Sequence, residues 1–222
     1  MVCGSEKEKK GCKMKLNRNK LFMAAGIVCI ILAGSLVLHN NMEDEAAGKA
    51  SQGFLAGVEK QFPKGMGTSQ IQETGDMPAV DVDGRSFIGI VKIPSLGLVL
   101  PIQRDWSMQN ARVSPCRYKG SIYENNLIVA GHNYTRHFGL LKNLISGDSV
   151  IVTDMNGRSF YYKVIDTEII DTYDIEAMDA GDWDLTVFTC TIGGKSRVTV
   201  RCAFTGQTSD DWQNVLTSDV PR

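Results

Sequence analysis

A thiol and a guanidinium face each other in LTVFTCTIGGKSRVTVRC, which runs from Leu185 to Cys202. Runs rich in Val, Thr and Phe flank Ile192-Gly193-Gly194-Lys195, the pattern of two strands joined by a turn. Cys190 stands where the first strand gives way to the turn, and Arg197 where the second strand begins. A thiol becomes a nucleophile once ionised, and a guanidinium beside it offers fixed charge to a developing oxyanion. The pair still needs a proton carrier. His132 closes the apolar run LIVAG, His137 follows in HNYTRHFG, and His39 abuts an apolar segment near the N-terminus. A strand end opening into a loop is where a rigid scaffold places reactive groups, and His132 and His137 both stand there. Two nearby histidines can also bind a metal, but zinc sites need three or four ligands and no third stands close in sequence. Taken singly, each residue has a plainer role: a structural histidine, a buried inert thiol, an arginine in a surface ion pair.

The elements that must hold these residues are short. From Ser86 onward come FIGIVKI, LGLVLPI, NLIVAG, SVIVTD, SFYYKVI, LTVFT and RVTVRCAF, with turn chemistry in PSLG and MNGR. HFGLLKNL alone has a helical look. This texture predicts an all-β domain over residues 86–206. The expected form is a closed or nearly closed β-barrel of about seven to eight strands with one or two short helices. Residues 207–222 form a C-terminal tail. Val198, Val200 and Cys202 share one strand face, while Arg197, Thr199 and Arg201 share the other. Cys202 is therefore expected in the core, and a Cys116–Cys202 disulfide stays open.

Ahead of the barrel lies LFMAAGIVCIILAGSLVL, Leu21 to Leu38, without a charged residue. Its eighteen residues reach the lower length for a helix crossing a hydrocarbon core of about 30 Å. Lys7, Lys9, Lys10, Lys13, Lys15, Arg18 and Lys20 precede it and the acidic MEDE follows. That asymmetry predicts a cytoplasmic basic tail (1–20), a single membrane anchor (21–38) and an extracellular remainder. A cleaved signal peptide, cut near Ala46-Ala47-Gly48, is the competing reading, although the apolar run exceeds the usual core of about 7–15 residues. Residues 39–85 are Gly-, Gln-, Glu- and Asp-rich and read as a stalk, with a short helix around Glu45 to Val58. A net charge of -1 gives no reason to expect nucleic acid. Three of the six cysteines (Cys116, Cys190 and Cys202) fall in the exported part, an odd number that leaves a thiol to be explained.

Read together, AGHNY, then TVFTC, then an arginine opening the next strand resemble the sortase family. That family carries a Thr-Leu-x-Thr-Cys strand end, an Arg at the start of the following strand and a His after an Ala-Gly pair. Here Val187 replaces the Leu. GSIYENNLIVAGHNY and GLLKNLISGDSVIV are also similar to the family's barrel around its histidine, and the resemblance covers residues 86–206. It implies a cysteine transpeptidase in which Cys190 is the nucleophile, His132 the acid and base, and Arg197 the stabilising cation. Thr189 then takes the place of the threonine whose backbone helps hold the oxyanion. It further implies an LPxTG-like sorting signal on exported proteins as substrate and an amine of a cell-wall precursor, lipid II or peptidoglycan, as acceptor. DTYDIEAMDAGDWD, before Cys190, corresponds to the family's recognition loop. The spacing from His132 to Cys190 leaves little room for the helix that class B members insert, and the lid motif of class C is missing. The chain is thus closer to classes A, D and E. Calcium serves some members but would need a carboxylate cluster that the sequence does not place, so no cofactor is expected. Two other functions share the same residues: a secreted cysteine protease that only hydrolyses, and a non-catalytic membrane-tethered barrel with an inert Cys190.

Overall fold

Among the described residues nine strands follow one another from Val80 to Ser209, most of them joined at Gly- or Pro-containing turns. The computed structural model describes residues 18–63, 75–179 and 183–218. After helix α1 (Arg18–Glu59) come β1 (Val80–Val82), β2 (Arg85–Ile93) and β3 (Leu98–Gln103). A single helical turn, α2 (Met108–Ala111), leads to β4 (Cys116–Lys119), β5 (Leu127–Gly131), β6 (Ser149–Asp154) and β7 (Ser159–Asp171). The short α3 (Ile175–Asp179) precedes β8 (Leu185–Cys190) and β9 (Ser196–Ser209), and α4 (Trp212–Thr217) ends the described chain.

The strands form one sheet in the order β1-β2-β3-β4-β5-β8-β9-β7-β6, and β6 also pairs with β2. That last pairing, Gly89↔Asp154 through Lys92↔Ile151, curls the sheet into a nearly closed barrel. The approach is so close that a Cβ on Gly89 would lie 2.2 Å from the Thr153 carbonyl oxygen, so only glycine fits. The thin point is β3–β4, joined by the single pair Gln103↔Cys116. The Gln103 amide reinforces it by donating to the carbonyls of Asn110 (2.7 Å) and Ser114 (3.1 Å). Two of the nine strands lie outside the seven runs read from the sequence: three-residue β1, added to one end of β2, and four-residue β4, between β3 and β5.

Inward-facing Val91, Leu100, Val129, Val152, Val187 and Val200 fill the barrel, and Cys202 stands among them fully buried. Cys116 is buried as well, and both are free thiols. HFGLLKNL, expected to be helical, instead forms turns and one 3₁₀ turn at Leu141–Asn143. Phe138, Leu141 and Leu144 are all buried and recur every three residues, the period of a 3₁₀ turn and not of an α-helix.

The chain divides into two units, residues 1–42 and 43–222. In the first, α1 contains a window of mean hydropathy 2.7, with no buried residue, long and apolar enough to cross a membrane. In the second, Leu55 and Val58 of α1 and the following Phe62 pack on Phe87, Ile90 and Met155 outside the barrel. Their spacing of three and four residues is that of one helical face. The helix expected over Glu45 to Val58 is thus part of a longer one that is packed on the sheet from its middle onward.

Candidate active site

Strand register brings the sequence-picked residues to one end of three neighbouring strands. β5 runs parallel to β8 with Gly131 opposite Thr189, and β8 runs antiparallel to β9 with Thr189 opposite Val198 and Cys190 opposite Arg197. His132, the residue after Gly131, therefore leaves β5 beside Cys190. Leu185 and Val187 face the core, so Thr186, Phe188 and Cys190 alternate to the outer face. Ile128, Ala130, Met178 and Phe188 form an apolar cluster on that face, below the ends that carry His132, Cys190 and Arg197. Cys190 is a half-buried free thiol. Thr189 is buried and donates its hydroxyl to the Gly131 carbonyl at 2.9 Å, tying β8 to the strand that delivers His132.

Arg197 is half-buried and held by the loops around it. Its Nη1 donates to Thr172 Oγ1 (3.1 Å), the Gly194 carbonyl (3.2 Å) and the Ser196 carbonyl (3.3 Å). Thr172 also donates to Gly194 at 2.9 Å, joining the β7–β8 connection to the β8–β9 turn.

The loop after β5 folds back tightly. Phe138 N–H donates to the His132 carbonyl (3.2 Å), and the N–H groups of His137 (3.0 Å) and Gly139 (2.9 Å) donate to the Tyr134 carbonyl. A Cβ at Gly139 would stand 2.5 Å from the Asn133 carbonyl oxygen, so this fold requires glycine. The His132 ring stacks on Tyr134 at 4.0 Å with a 22° interplanar angle. Its buried Nδ1 has no hydrogen-bond partner. Burial lowers the His132 pKa and nearby Arg112 lowers it further, while Glu43 and Asn133 oppose them. His137 is different. It is fully buried with both ring nitrogens unpartnered, and burial pushes it down to about 4. It is a neutral packing residue behind Tyr134. Among the described residues no group of three or more His, Cys, Asp or Glu is arranged to hold a metal.

Alternation puts Arg201 on the same strand face as Arg197, but in the fold that face is covered. Arg201 is 2 % exposed beneath α3 and surrounded by acceptors. It donates to Glu168 Oε1 (2.7 Å), the carbonyls of Met178 (2.9 Å) and Ala177 (2.5 Å), and Thr186 Oγ1 (3.0 Å). Arg201 fastens the β7–β8 connection to the sheet. Part of that connection, residues 180–182, lies outside the described residues. Sequence reasoning assigned no residue in it, and Met178 in the apolar cluster is one it missed. The helical spacing of Ile175 and Met178 was the available signal. Arg112 was missed too, since nothing local marks it as a neighbour of His132, and Tyr134, although inside AGHNY, was given no role.

The sequence matches the family described as the Sortase domain over residues 91–205, more than half of the chain. The chain belongs to the sortase family. This sortase shares its fold with a Clostridium perfringens sortase D5 transpeptidase at a TM-score of 0.56 and 18% identity, covering 71% of this chain and 99% of that one. Sortase C-3 of Streptococcus pneumoniae gives 0.52 and 19% identity over 80% and 89% of the two chains. Listeria monocytogenes sortase A gives 0.51 and 19% identity over 58% and 95%. Those neighbours span three sortase classes, so the fold they share does not select one for this sortase. Comparison with curated protein sequences returned no match.

Proposed function

We propose that this sortase is a membrane-anchored transpeptidase that cuts an LPxTG-like sorting signal in exported proteins. It then transfers the cut chain to an amine of a cell-wall precursor. In this scheme the Cys190 thiolate attacks the carbonyl carbon before the scissile bond. The C–N bond breaks as His132, as imidazolium, gives its proton to the departing amine, which leaves a thioester on Cys190. The incoming amine attacks that thioester, passes a proton to His132 and expels the thiolate. One amide is broken and one is made. Arg197 and the backbone at Thr189 stabilise the oxyanion of each tetrahedral intermediate. Burial lowers the His132 pKa, which works against its imidazolium form.

The observation that carries this reading is the register Gly131↔Thr189↔Val198, which sets His132, Cys190 and Arg197 side by side. The apolar stretch of α1 supports the anchor at 21–38, which leaves residues 1–20 inside. The basic flank supports the cytoplasmic placing of the N-terminus and the extracellular placing of the barrel. The test is to incubate the full chain in detergent with LPxTG-like and NPxTN-like fluorogenic peptides, with and without an added amine. A mass adduct on Cys190 and an amine-linked product are expected. Hydrolysis without any response to amine would indicate a protease instead. Absence of any adduct would indicate a binding barrel.

A further inference from the structure

His132 sits in an unusual setting for an acid–base residue. Where a histidine serves a nucleophile, a third polar group commonly orients its ring through the second nitrogen. Here the buried Nδ1 has no such partner. What touches the ring face is Tyr134, nearly parallel at 4.0 Å. Tyr134 is itself held on its other sides. The His137 ring meets it edge-on at 5.7 Å and 64°, from a fully buried position. The Glu43 carboxylate, in α1, stands near its hydroxyl and, after burial, helps to raise the Tyr134 pKa. One residue further on, Asp44 Oδ1 accepts from the Arg136 N–H at 3.0 Å. Asp44 of α1 thus grips the loop that carries His132, and Glu43 stands beside it. The contact between them is close: Ala47 is 6% exposed, and a Cβ on Gly48 would stand 3.0 Å from Arg136 Cγ.

We propose that Tyr134 is a positioning residue for His132, and that Glu43 of α1 holds Tyr134 in place. This rests on the reading of His132 as the acid and base. The stack fixes the plane of the imidazole while leaving its edge free for proton transfer beside Cys190. Glu43 and Asp44 then belong to the catalytic architecture, in a stretch that reads from sequence as linker. Tyr134 acts through the His132 ring, so its loss acts on turnover through the orientation of that ring.

The test uses the full chain in detergent micelles, with an LPxTG-like fluorogenic peptide and an added amine. Tyr134→Leu, which keeps apolar bulk but lacks an aromatic face, should lower kcat about tenfold or more with KM nearly unchanged. Tyr134→Phe, which keeps the face, should return kcat to within about threefold of the parent, and Glu43→Ala should lower it by a similar small factor. Melting temperatures separate these effects from unfolding. Should Tyr134→Leu fold poorly, the comparison of Tyr134→Phe with Tyr134→Met decides in its place, Met standing in for Leu. Equal kcat for the aromatic and aliphatic variants would overturn the proposal, and an unchanged Glu43→Ala would overturn the part given to α1. His132→Ala in the same assay keeps the two levels apart. If that variant stays active, the reading of His132 fails. If it is inactive while Tyr134→Leu is not, only the positioning role fails.

Discussion

Cys190 and Arg197 are direct partners across β8 and β9, yet the guanidinium turns back through Nη1 onto Thr172 and Gly194. The arginine is oriented by the two loops that flank the thiol. If it stabilises the oxyanion, Arg197→Ala should lower kcat by about 10²–10³. Its hydrogen bonds go to half-buried and exposed loop oxygens, so the stability cost should stay near 1 kcal/mol. Arg197→Lys should rescue in part, because a point charge lacks the guanidinium fork. Turnover measured beside a urea midpoint separates the two quantities. A variant that loses stability but keeps kcat would reduce Arg197 to a loop brace.

Arg201 should behave in the opposite way. Its side chain is buried and donates to four groups on three segments. Arg201→Ala strands the carbonyls of Ala177 and Met178 and should cost at least about 2 kcal/mol in chemical unfolding. Because Met178 belongs to the apolar cluster beside the site, a rise in KM should accompany that loss. Arg201 is therefore no neutral charge control for Arg197. A variant as stable as the parent would contradict the clamp.

The contrast between the two arginines shows where sequence reasoning reached and where it stopped. Period-two alternation located the β8 and β9 faces and put Cys202 in the core, since those relations are local. It could not tell that the outer face at Arg201 is roofed by α3, because the roof comes from a segment more than twenty residues away. Motif contexts picked out His132 over His137, and the structure buries His137 behind Tyr134. Nothing local pairs Glu43 with that loop. Leu55, Val58 and Phe62 did carry a helical spacing, but the surrounding Gly, Gln and Glu masked it, and the partner surface on Phe87 and Ile90 is distant in sequence. The Leu141 turn was misread as a helix because three apolar residues in a short segment fit periods of 3.0 and 3.6 almost equally well.

Thiol chemistry gives an independent check on which cysteine works. Cys116 and Cys202 are fully buried, and burial raises both thiols, Cys116 to about 12. Cys190 alone among the three barrel cysteines has partial exposure. A methanethiosulfonate reagent at neutral pH should therefore modify Cys190 before Cys116 and Cys202, read by peptide mapping. Cys190→Ala should abolish the acyl adduct. Cys202→Ala should keep the adduct while losing about 1 kcal/mol or more from the core. Acylation lost with Cys202 and kept without Cys190 would reverse the assignment.

His137 makes acid stability the last measurable consequence. The groups around it are Tyr134 and His132 on its own loop, and Asp44 and the Ala47 backbone on α1, which approaches the ring without completing a hydrogen bond. Burial holds its folded pKa near 4, against 6.5 for an exposed histidine. As pH falls through 6.5 the unfolded chain takes up a proton that the folded chain refuses, so stability declines until about pH 4 and this residue adds no further loss below it. At roughly 1.4 kcal/mol per pH unit of difference, the full loss is about 3 kcal/mol. His137→Phe preserves an aromatic ring of similar size and removes the titration. Its unfolding free energy should fall less than the parent's between pH 7 and pH 4, by about that amount. His132, whose pKa is also lowered, acts in the same direction in both proteins and cancels from the comparison. Parallel pH profiles for parent and variant would show that the acid sensitivity arises elsewhere.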